Sequence, residues 1–159
     1  MSTNPVPINP PIWALLVGIN AYASPGINTL NGCENDVEAM RVFLMNQMHV
    51  PETQIKVLTN QAATRAAILD AFKTHLIENP QIQRGDQLLF HYSGHGSYMP
   101  SNDPNEPDGL DETVVAHDSR MPGIFDIPDK TLAALLDQLA AAKSDPAAPG
   151  DNITVILDS

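Results

Sequence analysis

Two apolar patterns alternate along this chain. Continuous runs occur in Ile12-Trp-Ala-Leu-Leu-Val-Gly-Ile19, in Gln54-Ile-Lys-Val-Leu58, at Leu88, Leu89 and Phe90, in Thr113-Val-Val-Ala116 and in Ile153-Thr-Val-Ile-Leu157. Between them, apolar residues recur at helical spacing: Val37, Met40, Leu44 and Met48, then Ile68, Phe72 and Leu76, then Leu132, Leu135, Leu136 and Leu139. The runs predict strands, the first of them covered on both faces, and the spaced sets predict helices with one buried stripe. Asn35 or Asp36 is placed to cap the first helix and Thr64 the second. Pro128 keeps Ile127 extended, so the third helix starts near Asp129. Residues 20–31, 97–111 and 140–149 are polar, turn-rich or Ala/Pro-rich and predict loops.

Strands that alternate with helices imply right-handed βαβ crossovers. The expected fold class is therefore α/β: a three-layer α/β/α domain whose strands, starting near Ile12, Gln54, Asp86, Thr113 and Asn152, share one mainly parallel sheet. A chain of 159 residues with 43% apolar content suggests one domain with a real core, residues 12–159, after a proline-rich extended lead-in, residues 1–11. The formal net charge of −11 argues against nucleic acid or an anionic membrane as partner and suits basic peptides or metal cations. The single cysteine, Cys33, allows no internal disulfide and fits a reducing, cytoplasmic compartment. No secretory signal and no membrane span are expected from the segment as it stands.

In an open α/β sheet, chemistry sits beyond the carboxyl ends of central strands. The run at Leu88 leads directly into Ser93-Gly94-His95-Gly96, a histidine between two glycines, as suits a catalytic base approached by substrate backbone. The last strand runs into Asp158-Ser159, where the sequence ends. His91, inside its strand, is expected to be packed or hydrogen-bonded; His49, His75 and His117 are expected on the surface or in loops. An acidic group, Asp103, Glu106, Asp108, Asp111, Glu112 and Asp118, either gathers a hard cation or is a solvated loop.

Five blocks then occur in a telling order: Trp13-Ala-Leu-Leu-Val-Gly-Ile-Asn20, Leu30-Asn-Gly-Cys-Glu-Asn-Asp-Val37, His91-Tyr-Ser-Gly-His-Gly96, Asp108-Gly-Leu-Asp-Glu-Thr113 and Val155-Ile-Leu-Asp-Ser159. From Ile12 onward the chain resembles the large-subunit (p20-like) part of metacaspases and their bacterial relatives, the orthocaspases. The resemblance implies a caspase-like fold and a cysteine endopeptidase working through a Cys–His dyad. His95 would be the base and the Gly96 N–H an oxyanion donor. In the family the nucleophilic cysteine follows the Asp-Ser pair directly. The chain as given stops one residue short of it, and also lacks the small-subunit (p10-like) segment, its expected partner. It is therefore expected to be inactive alone. Cys33 matches the block that lines the family's S1 pocket; the alternative, Cys33 as nucleophile, competes with its being an inert small apolar residue.

The resemblance further implies that Cys33, Asp36, Ser93 and Asp158 line an S1 pocket taking Arg or Lys, because two carboxylates favour a cation. The chemistry needs no cofactor, but calcium-activated members use an aspartate matching Asp111 and an adjacent aspartate pair before the third helix. Here that pair is Asp129-Lys130, and the lysine subtracts charge, with Asp126 the candidate to compensate. Against the peptidase stands a second function class, a non-catalytic caspase-fold module that binds basic peptides or a partner protein.

Overall fold

The protein is described by a computed structural model covering residues 10–159; of the lead-in 1–11, only Pro10 and Pro11 fall within it. In chain order the elements are β1 (Ile12–Gly18), α1 (Cys33–Asn46), β2 (Ile55–Thr59), α2 (Arg65–Ala71) running on as a π-helical stretch (Phe72–Ile77), β3 (Gln87–Ser93), β4 (Gly96–Pro100), β5 (Leu110–Val114), β6 (Ile127–Pro128), α3 (Asp129–Lys143) and β7 (Ile153–Asp158). The central sheet has the order β2-β1-β3-β7, with every pair parallel.

Alternation along the strands divides the core into two layers. Trp13, Leu15 and Val17 of β1 and Leu88, Phe90 and Tyr92 of β3 pack with Ile68, Phe72, Leu76, Leu132 and Leu139 from α2, its continuation and α3. The intervening residues Ala14, Leu16 and Leu89 face Val37 and Leu44 of α1. β1 and β3 are thus buried on both faces, as their unbroken apolar runs predict. The helix stripes also hold, except that Met48 lies beyond α1 and is exposed. The Phe72 and Phe90 rings meet edge-on with centroids 5.3 Å apart, a pairing worth about 0.5–1.5 kcal/mol beyond area burial.

Four expectations are corrected. The strand containing Thr113 does not join the parallel sheet: β5 lies in a separate antiparallel sheet of order β4-β5-β6, Thr113 opposite Ser97 and Pro128. A parallel strand needs a long crossover, usually a helix, whereas β4 and β5 are joined by a short turn segment that returns the chain on itself. Residues 97–100 and 110–111 of the expected loop 97–111 accordingly belong to β4 and β5. Neither Asn35 nor Asp36 caps α1; Gly32 sits at the cap and Cys33 N–H donates to Asn20 Oδ1 at 3.0 Å. His75 is half-buried, its Nε2 lying 3.1 Å from Ala14 O and 3.3 Å from Gln54 O. Burial pushes its pKa down, so it acts as a neutral clamp between α2's continuation and the sheet. Finally, α3 continues through Lys143, whose buried ammonium donates to Asn79 O at 2.8 Å and Ile82 O at 3.1 Å.

Thr64 does cap α2, its Oγ1 accepting from Ala67 N at 3.2 Å, and α3 begins at Asp129 as expected. β7 is an edge strand of the described sheet and leaves Val155 and Leu157 exposed. No described helix is long and apolar enough to cross a membrane.

The tightest approach between layers is at Gly18, where a Cβ would lie 2.6 Å from Cys33 O and 2.7 Å from Val37 Cγ2. Backbone cannot yield as a flexible side chain can. Gly18→Ala is therefore expected to push α1 off β1 and to lower stability by about 1–3 kcal/mol, measured as a shift in the urea midpoint.

Candidate active site

His95 stands where β3 ends and the chain turns into β4. Gly94 makes that turn possible: a Cβ there would lie 2.5 Å from Tyr92 Oη and 3.0 Å from Tyr22 Oη. The two phenols occupy the space a side chain would need, and they hold the backbone on either side of the imidazole. His95 N–H donates to Tyr22 Oη at 2.8 Å. Tyr92 Oη donates its one proton toward His95 O (2.7 Å) and Val115 O (2.8 Å), and accepts from Val115 N at 3.2 Å. Burial raises the pKa of both tyrosines, so both hydroxyls keep their protons.

The ring of His95 is aimed by two further contacts. Its Nε2 lies 2.8 Å from Asn28 O, and its centroid is 5.2 Å from that of Tyr22. A carbonyl oxygen only accepts, so Nε2 is the donor in this contact, and in the neutral tautomer that makes it, Nδ1 is the nitrogen with the lone pair. Asn28, Tyr22 and Tyr92 were not singled out from the sequence. Asn28 acts through its main-chain oxygen, which no residue type encodes, and Tyr22 lies in a loop without periodicity.

The tip of β7 closes against the glycines flanking His95. Gly94 N donates to Asp158 O at 3.1 Å, and a Cβ on Gly96 would lie 2.9 Å from Ser159 Oγ. A cleft of about 620 Å³ opens here, lined by His95, Gly96, Glu112, Asp129, Leu157 and Ser159 among others.

On the α1 side of β3 the carboxylates gather. Ser93 Oγ donates to Asp36 Oδ2 at 3.0 Å, and Ser93 is paired in register with Asp158 of β7. Cys33 lies one helical turn before Asp36, buried and free. The structure thus joins Asp36 to Ser93 directly and places Asp158 on the adjoining strand. His91, two residues before Ser93, is packed as expected, with Nδ1 buried and unpartnered. Burial lowers its pKa against the opposing pull of Asp36 and Asp158.

The two aspartates implied for calcium have different partners. Asp111 is bound by the Lys130 ammonium, which holds its carboxyl below the usual range. Asp129 Oδ1 accepts from Lys130 N–H at 2.7 Å and borders the cleft. Asp126 is buried against Arg120, at 3.0 Å, and Thr113, at 3.2 Å. Among the described residues no group of three or more His, Cys, Asp or Glu side chains is arranged to hold a metal.

Residues 13–159 match the family described as metacaspase, peptidase C14 domain. The chain belongs to the metacaspase family. Metacaspase-1A of Aspergillus terreus is 35% identical over 153 residues, which cover 92% of this chain and 34% of that protein. Metacaspase-1 of Emericella nidulans is likewise 35% identical over 153 residues, covering 92% and 34%. The chain therefore spans about a third of the length of these curated relatives. Among solved structures, the crystal structure of protein GSU0716 from Geobacter sulfurreducens superposes with a TM-score of 0.67 at 29% identity, covering 93% of this chain and 49% of that one.

The geometry makes a spectroscopic prediction for this metacaspase domain. In the neutral protein the His95 side chain should be the Nε2–H tautomer, with ¹⁵N shifts showing a protonated Nε2 and an unprotonated Nδ1. The reverse pattern would mean that the Asn28 contact does not set the ring.

Proposed function

We propose that this domain is the histidine-bearing part of a cysteine endopeptidase that cleaves after arginine or lysine. The observation that carries the proposal is the pairing of a clamped His95, Nδ1 free, with the tip of β7 packed against Gly96. A thiol one residue past Ser159 would stand beside that base. His95 Nδ1 would take the thiol proton, and the thiolate would attack the scissile carbonyl. The N–H of Gly96 and that of the nucleophile would receive the developing oxyanion. His95 would then return the proton to the leaving amine, and water would hydrolyse the thioester.

Specificity for a basic P1 residue is supported by Asp36 and Asp158, both exposed near Ser93, since two carboxylates in one pocket favour a guanidinium or ammonium. The substrates would be peptides or proteins with Arg or Lys at P1, and the domain's partner a small-subunit (p10-like) segment that continues the sheet beyond β7. A reducing, cytoplasmic setting fits the free Cys33.

The second reading is a non-catalytic module that binds basic peptides or a partner protein. The only thiol of the chain, Cys33, is buried at the start of α1, not poised at His95. An Arg-P1 fluorogenic peptide separates the two readings. Residues 1–159 should not cleave it, and Cys33→Ala should change nothing. The chain extended past Ser159 with a cysteine next and the remaining strands following should cleave it, and His95→Ala should cost about 10²–10⁴-fold. Silence of the extended chain would favour the binding module.

Asp36→Ala in the active, extended protein should lower kcat/KM for an Arg-P1 peptide by about 10–100-fold, the value of a hydrogen bond to a charged group. Efficient cleavage of an Asp-P1 peptide by the unsubstituted protein would contradict the assignment.

A further inference from the structure

Lys130, in the first turn of α3, extends its ammonium into the acidic segment that joins β4 to β5. Nζ donates to Asp111 Oδ1, to Glu106 Oε2 at 2.9 Å and to Ser101 Oγ at 3.0 Å, and Asp103 Oδ2 lies 3.9 Å away. An ammonium has three N–H bonds, and all three are accounted for within the protein.

The positions of these acceptors give the contact its reach. Ser101, Asp103 and Glu106 lie on the outgoing side of the segment, and Asp111 lies in β5 on its return. One cation therefore ties both sides of the segment to the start of α3. The segment also carries its own turn bonds: Ser101 N donates to Gly109 O at 2.8 Å, and Gly109 holds φ at 71°. Three carboxylates drawn to one point repel one another unless a positive charge sits among them. Asp108 and Leu110 of the same segment, with Asp129 next to Lys130, form one wall of the His95 cleft.

Carboxylates and a hydroxyl are the ligand type a hard divalent ion takes, although as placed around the lysine they form no metal-holding group. Here the lysine nitrogen stands among them. A calcium ion on the same oxygens would face the ammonium at contact distance, and the two cations would repel.

We propose that Lys130 is a tethered cation that takes the place of a divalent ion in this segment, ordering residues 101–111 and holding that wall of the cleft without calcium. The proposal does not depend on the peptidase assignment, because its readouts are ion binding and amide exchange.

The test uses residues 1–159, by calorimetric titration with CaCl2 against NaCl at equal ionic strength and by hydrogen–deuterium exchange. The unsubstituted chain should show no saturable calcium binding with a Kd below about 1 mM, and its exchange should not respond to calcium. Lys130→Met keeps the aliphatic stem and removes the charge. It should lose about tenfold protection across residues 101–111, with β1 and β3 unchanged, and calcium should restore that protection. Saturable calcium binding by the unsubstituted chain would overturn the proposal. So would a Lys130→Met segment as protected as before, or an opened segment that calcium leaves open.

Discussion

One phenolic oxygen joins the two sheets of this domain. Tyr92, one residue before the end of β3, has its ring in the core, and its hydroxyl meets His95 O, Val115 O and Val115 N at 2.7, 2.8 and 3.2 Å. The parallel sheet and the small antiparallel sheet are thus tied beside His95. A fully buried hydroxyl is retained only if its partners satisfy it, so the bond constrains both strands at once. The glycine at position 94 follows from the same constraint, because Tyr92 and Tyr22 fill the volume its Cβ would occupy. The imidazole is consequently placed by backbone, with one nitrogen committed to Asn28 O.

Charge is arranged around this centre in two distinct ways. Asp36 and Asp158 lie on the α1 side, where one carboxylate receives only the neutral Ser93 hydroxyl. Among the described residues neither is paired with a cation, so their negative potential is left unneutralised. In the segment between β4 and β5, Asp103, Glu106 and Asp111 surround Lys130. Their charge is spent inside the protein, on holding a loop. The net charge of −11 therefore overstates what is available to a ligand.

The parts that could be read in advance were those that repeat. Runs such as 12–19 are buried on both faces, and sets such as Ile68, Phe72 and Leu76 pack as one stripe, because burial imposes periodicity on residue type. Thr64 capped α2 because a cap is a local bond. Thr113-Val-Val-Ala116 showed only that something buried lay there. Apolar character records burial, not partner or direction, and a strand of either sheet would have looked the same. His75 misled for a related reason: its two acceptors are main-chain carbonyls far away in sequence.

The sequence by itself determined the alternation of strands and helices, the glycine-flanked histidine at the end of a buried strand, and the acidic residues at Asp36 and Asp158. Each of these is a matter of residue type at a given spacing. Only the tertiary structure decided which nitrogen of His95 is free, that Ser159 meets Gly96, and that Lys130 rather than open solvent neutralises Asp111. The physical reason is that these contacts join groups distant along the chain, several of them main-chain oxygens that every residue carries. Their pairing emerges only when the layers close.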